Sequence, residues 1–324
     1  MRPIWRCCIK RSRRAIAAAY CGGPRQADTG DGCGVAQLGP ALAQRVPALE
    51  ARCRGLRVRA LTFIYHDVLA DSGADDSGFA GADALSYKLP LARFRRHLDI
   101  VADTLRGRQP LCARTPEALL GAESPALILT FDDGGASAVS RTADMLEERG
   151  WRAYFFVVSE LIGQPEFLTA DGVRQLHTRG HVVGTHSASH PPRLSRCTPE
   201  VIRREWGDSS ARIADIIGAP VLTGSVPGGY YSRVVGQIAA QSGLRILFTS
   251  EPTPNPAWLD GMLVMGRMSV TRRTSDQNLA ALAHLKRRAL LEQQVTWGAK
   301  KVIKRLSGEA WLAARRKLFD RGLV

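Results

Sequence analysis

Two adjacent carboxylates and a pair of histidines are the residues of this sequence best suited to chemistry. Asp132 and Asp133 follow the apolar run LILTF and precede two glycines, and His186 and His190 are separated by three residues in GTHSASHPP. Taken alone, a histidine pair in a loop is more often surface decoration, but two neutral imidazoles with one carboxylate form a zinc-type ligand set. A metal held there acidifies water, and the second carboxylate could then accept the proton. The pattern predicts a hydrolytic metal site.

Alternating strands and helices are predicted to position these residues. Apolar strand-like runs and helical patterns follow one another between residues 61 and 270. This alternation predicts parallel pairing with both sheet faces covered, and about seven such units favour a closed (β/α) barrel over an open doubly wound sheet. In that fold, catalytic residues lie at the carboxyl ends of the strands. The candidate residues obey this rule: His66 follows LTFIY, Asp132 and Asp133 follow ALILT, His186 follows HVVGT, and Ser225 to Gly228 lie at the end of VLTGS.

Two further elements have recognisable limits. Thr198 with Pro199 predicts the start of a long helix, and Gly218 predicts its end, because proline suits the first helical position and glycine the residue after the last one. The run MLVMGRMSV, residues 262–270, predicts a last strand.

The charge of the chain lies mainly at its two ends. The net charge is +15, but residues 61–284 hold 22 basic and 24 acidic side chains. Few aromatic residues interleave with the basic ones and no recognition motif is found, so we expect no nucleic-acid partner. The basic ends could instead contact anionic lipid headgroups. Residues 1–56 are predicted to be a poorly ordered extension, residues 57–275 the barrel, and residues 276–324 a basic helical tail.

The sequence also bears on where the protein works. The seven cysteines lack the spacing of a zinc site and are interpreted as reduced thiols. The apolar segment AIAAAY near the N-terminus is too short for the core of a signal peptide, and no run of eighteen apolar residues occurs. We therefore expect a protein that is cytoplasmic or peripheral to the inner membrane.

A family resemblance rests on two motifs. TFDDG at residues 130–134 and HSASH at residues 186–190 resemble the signature motifs of the polysaccharide deacetylase family, which includes NodB-type chitooligosaccharide deacetylases. The resemblance covers roughly residues 57–275. It implies a distorted barrel and the metal-dependent removal of N- or O-linked acetyl groups from a glycan. It also implies that Asp132 is the catalytic base and that the metal ligands are Asp133, His186 and His190.

The third motif departs from the family pattern. The family usually has an arginine two residues before a proline, where it holds the base carboxylate, but here GSVPGG keeps Pro227 and has Ser225 in the arginine position. The backbone N–H of Gly228 could still stabilise an oxyanion, since a backbone donor needs no side chain. Arg267 is a candidate for orienting Asp132. The alternative is that Arg267 is a plain surface residue.

The usual last motif, a strand ending in a histidine acid, has no match near the C-terminus. A subset of the family, deacetylases of exopolysaccharide glucosamine polymers, resembles this chain in beginning with a Tyr-His strand. His66 is therefore predicted to be the acid that protonates the leaving amine, with a hydrogen-bonded structural histidine as the alternative. His97, on the polar side of its helix, His177 and His181 are interpreted as structural. Tyr230, Tyr231 and Trp206 could stack on a sugar, or Trp206 could belong to the core.

Two hypotheses about function remain open from the sequence. In the first, the protein is a metal-dependent deacetylase of N-acetylated amino sugars in a polysaccharide or its lipid-linked precursor. The metal would be Zn²⁺, with Co²⁺ and Ni²⁺ as alternatives, since all three accept two imidazoles and a carboxylate. In the second, it is an inactive glycan-binding protein that kept the metal pocket. Ser225 and the missing last motif motivate the second hypothesis, whereas retention of Asp132 speaks against it.

Overall fold

A computed structural model describes residues 59–122 and 125–306, with side chains as far as residue 299. The predicted extension at residues 1–56 and the end of the predicted tail lie outside this range. The strands are β1 Ala60–Tyr65, β2 Val68–Leu69, β3 Leu89–Pro90, β4 Ala126–Phe131, β5 Tyr154–Val157, β6 Val182–Thr185, β7 Thr223–Ser225, β8 Ile246–Phe248, β9 Ala257–Leu259, β10 Met262–Met265 and β11 Met268–Ser269. The helices are α1 Ala82–Leu85, α2 Leu91–Leu105, α3 Pro116–Leu120, α4 Ala143–Glu147, α5 Ala170–Thr178, α6 Pro199–Ile217, α7 Arg233–Gln241, α8 Asp276–Ala283 and α9 Arg287–Leu306.

Among the described residues, the main sheet has nine strands in the order β11-β1-β4-β5-β6-β7-β8-β10-β9, and only the β10-β9 pair is antiparallel. Side chains alternate between its two faces, as the two-residue repeat of a strand requires. On one face, Ile128 and Phe156 belong to a core enclosed by the sheet. On the other, Leu129 and Phe155 pack in a second core with the helices. This arrangement confirms the predicted distorted barrel.

The predicted last strand is two strands that pair with opposite ends of the sheet. β10 pairs with β8, whereas β11 pairs with β1, and only Gly266 and Arg267 lie between them. A Cβ at Gly266 would lie 2.5 Å from the carbonyl oxygen of Glu251, so this position accepts only glycine without a shift of the backbone. The interpretation of residues 262–270 as one strand is therefore wrong. Gly266 and Arg267 therefore carry the chain from one end of the curled sheet to the other.

The long helix α6 has the predicted limits. The hydroxyl of Thr198 accepts a hydrogen bond from the backbone N–H of Val201, and Pro199 occupies the first helical position. Gly218 ends the helix in the left-handed conformation, with φ of 66°. These caps satisfy backbone groups that a helix leaves unpaired at its ends.

Helix α8 covers the side of α2 that carries His97. Arg96 of α2 donates a hydrogen bond to Asp276 of α8 at 3.2 Å, and Leu279 and Leu282 of α8 are buried in the core. His97 is consequently fully buried. Its predicted place on the polar side of α2 is wrong because the periodicity of one helix does not reveal a second helix packed over it.

Helix α9 reaches back to the carboxyl ends of two strands. The amide of Gln293 donates to the carbonyl oxygen of Ser269 at the end of β11, at 3.1 Å, and the amide of Gln294 donates to that of Pro252, four residues after β8, at 3.2 Å. Within residues 59–122 and 125–306, no helix combines the length and the apolarity needed to cross a bilayer.

Candidate active site

The strand ends bring the candidate residues together. The side chains of Ile128 and Thr130 in β4 point into the barrel. Asp132 is the next residue on this face, and it is buried at the carboxyl end of the strand. Ser225 ends β7 and His186 follows β6, and both are buried as well. The carboxyl ends of parallel strands meet at one edge of a barrel, and this edge is called the mouth below.

Asp133, His186 and His190 form a cluster whose ligand atoms all lie within 4.8 Å of one another. Oδ1 of Asp133 is 3.4 Å from Nε2 of His186 and 3.7 Å from Nε2 of His190. Nδ1 of His186 lies 2.9 Å from the carbonyl oxygen of Ser225. A proton on Nδ1 donated to that carbonyl leaves Nε2 free to ligate, which is the usual arrangement around a metal-binding histidine. Two imidazoles and a carboxylate in this grouping fit a divalent cation.

The backbone at these residues adopts conformations that side chains rarely take. Asp133, Ser187 and His190 have φ of 74°, 69° and 55°. Such left-handed residues persist where the surrounding structure fixes them, and they concentrate at functional sites. Here the backbone N–H of His190 donates to the hydroxyl of Ser187 at 3.1 Å.

Glu205 of α6 holds the loop between the two histidines. Its carboxylate accepts hydrogen bonds at 2.9 Å from the backbone N–H groups of Ala188 and Ser189, and at 2.6 Å from the hydroxyl of Ser189. Glu205 is buried, so these three bonds form away from bulk water. The sequence offered no signal for this role beyond a carboxylate inside an amphipathic helix.

Arg267 and Ser225 hold the carboxylate of Asp132. The guanidinium of Arg267 donates to Oδ1 of Asp132 at 2.7 Å and to Oδ2 at 2.8 Å, and the hydroxyl of Ser225 donates to Oδ2 at 3.0 Å. Arg267 also donates to the hydroxyl of Thr130 at 3.0 Å and to the carbonyl of Thr249 at 2.9 Å. Arg267 is fully buried, so the alternative that it is a surface residue is wrong.

The surroundings of these carboxylates act on their pKa values in opposite directions. Burial alone would raise the pKa of Asp132, but the charges of Arg267 and His186 hold it below its ordinary value. Burial is likewise outweighed at Asp133, where a hydrogen bond from His186 and the nearby histidine charges lower the pKa. Burial lowers the pKa of His190. These directions keep the two carboxylates ionised and His190 neutral. Burial alone would lower the pKa of His186, but the charges of Asp132 and Asp133 raise it, so His186 must give up a proton when it ligates a metal.

His66 lies beside the carboxylates at the end of β1. Its ring packs against that of Tyr87 with centroids 4.8 Å apart, and its charge lowers the pKa of both Asp132 and Asp133. Nδ1 of His66 is buried without a hydrogen-bond partner among the described residues. The ring of Phe79 packs against that of the ligand candidate His190, with ring centroids 5.2 Å apart.

Asp67, next to His66, is a buried residue that the sequence did not single out. Its carboxylate accepts hydrogen bonds from Ser77 at 2.6 Å and from Ser137 at 2.8 Å. Burial raises its pKa despite these bonds, and the charge of Asp133 adds to the rise. A Cβ at Gly135 would lie 2.0 Å from the carboxylate, so this glycine is needed for close approach. Asp67 thus joins the end of β1 to the segment that follows Asp133.

Gly228 lies in a turn at the mouth, after β7. Its backbone is left-handed, with φ of 64°, and the residue is exposed. A Cβ there would lie 3.2 Å from the carbonyl oxygen of Pro192, in the loop that follows His190. Tyr230, two residues on, packs against Arg193, whose guanidinium carbon is 5.6 Å from the ring centre. Trp206 is fully buried in the core, which leaves it no surface for a sugar.

The chain is similar to known polysaccharide deacetylases. Residues 121–247 match the family model described as Polysaccharide deacetylase. Chitin deacetylase 1 of Cryptococcus neoformans is 34% identical over 124 residues, which cover 38% of this chain and 25% of that protein. Among the first curated relatives, the matched part spans between 25% and 60% of the relative's own length.

Two solved structures share the fold. Streptococcus pyogenes deacetylase PplD in complex with acetate superposes with a TM-score of 0.58 at 20% identity, over 70% of this chain and 99% of that one. IcaB from Ammonifex degensii superposes with a TM-score of 0.57 at 19% identity, over 70% of this chain and 97% of that one.

Proposed function

We propose that the chain is a polysaccharide deacetylase, the family whose model residues 121–247 match, and that it hydrolyses the acetamido group of N-acetylated amino sugars in a polysaccharide or its lipid-linked precursor. The observation that carries the proposal is the position of Asp132, a buried carboxylate kept ionised by Arg267 within 3.7 Å of the metal-ligand candidate His186. A binding protein has no need of such a base. Hydrolysis does, because the attacking water must lose a proton.

Asp133, His186 and His190 would hold a divalent cation, and their donor set fits Zn²⁺, with Co²⁺ and Ni²⁺ as alternatives. When bound, such a cation acidifies water and polarises a carbonyl oxygen. The fixed Nε2 of His186 and the carboxylate of Asp133 would orient it. Exopolysaccharide as the natural glycan remains part of this proposal, by resemblance to deacetylases whose first strand ends in Tyr-His.

In the proposed reaction, the protein accepts one proton from water and donates another to the leaving nitrogen. Asp132 accepts a proton from water as the water oxygen bonds to the acetyl carbon, and the backbone N–H of Gly228 donates to the developing oxyanion. The carbon–nitrogen bond then breaks as His66 gives a proton to the leaving nitrogen. Acetic acid and a free amine result, which exchange a proton in water to give acetate and the ammonium form, and proton transfer from Asp132 to His66 restores both residues.

Ser225 need not weaken this mechanism. The hydroxyl of Ser225 and the guanidinium of Arg267 together satisfy the base carboxylate from the inside of the barrel. The role expected of an arginine in the third motif is therefore assigned to Arg267. This supports the deacetylase over the second hypothesis, an inactive glycan-binding protein, as far as that hypothesis is motivated by Ser225; the missing last motif is its other motive.

The test is acetate release from N-acetylglucosamine oligomers and polymers. Metal-stripped protein, protein with Zn²⁺ or Co²⁺ restored, and the Asp132→Asn variant are compared, with Asp171→Asn on the exposed surface as the control. We expect metal-dependent acetate that Asp132→Asn abolishes and Asp171→Asn leaves unchanged. Stoichiometric metal and measurable glycan binding without acetate from any substrate would favour the binding protein instead.

Contact of the basic ends with an anionic membrane is a separate part of the proposal. Arg288 is exposed in the first turn of helix α9, and exposed Leu291 and Val295 lie on the same helix. Basic and apolar side chains together suit a surface of anionic lipid. Pelleting with anionic vesicles at low salt tests this contact, and recovery of all protein in the supernatant would exclude it.

A further inference from the structure

Helix α9 and its Trp297 lie at the mouth of the barrel, beyond the segment that matches the family model. Gln293 and Gln294 tie the helix to Ser269 at the end of β11 and to Pro252 after β8. Three residues further on, a Cβ at Gly229 would lie 3.1 Å from Cη2 of Trp297 and 3.3 Å from Cβ of Ser250. The helix therefore contacts the segments after three strands, all at their carboxyl ends.

The contact of Trp297 is with the turn assigned to the oxyanion. Gly228 lies against the carbonyl of Pro192, two residues after the ligand candidate His190, and its neighbour Gly229 lies against the tip of the Trp297 indole. Gly228 and Gly229 thus separate Trp297 from the metal-ligand loop by two residues of backbone. Trp297 is only half-buried, so part of its ring remains accessible beside this turn.

We propose that α9 forms one wall of the substrate cleft and that Trp297 is a platform for a sugar ring next to the one that loses its acetyl group. The proposal rests on the proposed function for the nature of its ligand. An indole offers a large, rigid apolar face, and the C–H faces of a pyranose are its complement. Because Trp297 lies against Gly229 and not against Gly228 or the ligand candidates, it would contact the neighbouring sugar, so the substrate class it selects is an oligosaccharide or polymer rather than a monosaccharide.

The experiment measures binding and turnover separately. Binding of an N-acetylglucosamine monomer and tetramer is measured by calorimetry on Asp132→Asn protein, with and without Trp297→Ala, and kcat and KM for the tetramer are measured with Asp132 intact. We expect Trp297→Ala to weaken tetramer binding about tenfold, to leave monomer binding unchanged, and to raise KM more than it lowers kcat. Trp297→Tyr should restore most of the affinity, because it keeps an aromatic face.

Other variants distinguish a platform from an anchor for α9. Trp297→Leu keeps an apolar side chain against Gly229 but has no ring, and Gln294→Ala removes one tie of the helix and leaves the ring. The matched control is Trp258→Phe. Trp258 is also half-buried, and it lies in β9, beside the amino-terminal half of β10. Tetramer binding that falls with Gln294→Ala as much as with Trp297→Leu, or equal losses for monomer and tetramer, would overturn the proposal. If the tetramer binds through Trp297 but no acetate is released, the proposed deacetylase activity would be rejected, and the proposed role of Trp297 in sugar binding would be retained.

Discussion

Arg267 and Asp132 form a bidentate ion pair inside the barrel although 135 residues separate them in the chain. The arginine comes from the two-residue link between β10 and β11, and the aspartate from the end of β4. Neither side chain has appreciable contact with solvent. A buried pair of this kind depends on both partners, because each charge alone would be left without compensation.

Replacing Arg267 by alanine is expected to lower both stability and turnover. A buried carboxylate that loses its cation costs about 3 to 5 kcal/mol. Because Arg267 lowers the pKa of Asp132, its loss raises that pKa, and the acidic limb of kcat/KM should move to higher pH. Urea unfolding and a pH–rate profile measure the two effects. The control is Arg174→Ala, an exposed pair with Asp171 that should change little.

The sign of the stability effect follows from the same ion pair. The folded pKa of Asp132 lies below its unfolded value, so the pair stabilises the fold above the unfolded pKa and ceases to do so as pH falls through the folded one. The difference in unfolding free energy between the two proteins should therefore shrink in acid. A folded Arg267→Ala protein with an unmoved acidic limb would contradict the assigned role.

Moving the arginine to the third motif tests whether Ser225 and Arg267 share one function. Ser225→Arg alone should destabilise the protein, because a second guanidinium would enter a fully buried position beside Arg267. The double variant Ser225→Arg with Arg267→Ser exchanges the two side chains, and we expect it to recover part of the lost stability and activity. A double-mutant cycle on unfolding free energy measures the coupling. Strict additivity would show that the two positions are independent.

Glu205 is expected to control metal affinity without touching the metal. Glu205→Gln keeps the shape but weakens the acceptor for the N–H groups of Ala188 and Ser189, so the loop that carries His190 should lose its fixed position. Changes at such supporting residues typically lower metal affinity about 10- to 100-fold. Calorimetric titration with Zn²⁺ measures it, with Asp208→Asn on the exposed face of α6 as the control. Equal affinities for both variants would refute the role.

His97 is expected to make stability depend on pH. Burial lowers its pKa from 6.5 to about 4, with a smaller opposing effect of Asp276, so the folded state binds its proton less readily than the unfolded state. Its contribution is complete above pH 6.5 and is lost as pH falls toward 4, by about 3 kcal/mol in all.

The measurement compares unfolding free energies of wild type and His97→Leu between pH 7 and 4, with chelator present so that metal binding does not contribute. The stability of His97→Leu should fall less over this range. His284→Gln, an exposed histidine at the end of α8, should follow the wild type. Parallel curves for wild type and His97→Leu would exclude His97 as the source.

The sequence was sufficient to predict which residues meet at the strand ends, but not which side chains fill the barrel between those ends. Asp132, His186 and Ser225 were predicted to meet because parallel strands share one edge, and that rule depends only on element order. The sequence offered Arg267 only as a candidate partner of Asp132, with a surface position as the alternative, because the pairing requires the last strand to divide at Gly266 and change partners. A hydrophobic run does not encode such a change, although the glycine and arginine inside MLVMGRMSV interrupt its apolar pattern.

Residues that act through packing were also beyond sequence reasoning. His97 and Asp67 contact residues distant in the chain: α8 packs over the side of α2 that carries His97, and Ser137 donates to Asp67. Trp297 lies in a helix whose composition indicates only a basic amphipathic segment. For each of these residues, function depends on a neighbour that local periodicity cannot identify.

The change of partners between β10 and β11 sets the order in which the site can be completed during folding. β4, β5 and β6 follow one another in the chain, so Asp133, His186 and His190 can meet through contacts of modest sequence separation. Phe63 and Met268, which pair between β1 and β11, lie near the first and the last residue of the barrel. Contacts between residues so far apart in the chain form slowly. A nascent chain can therefore bring its three candidate metal ligands together while Asp132 still lacks the guanidinium of Arg267. Competence for catalysis would arrive only with the final closure, after competence for binding the metal.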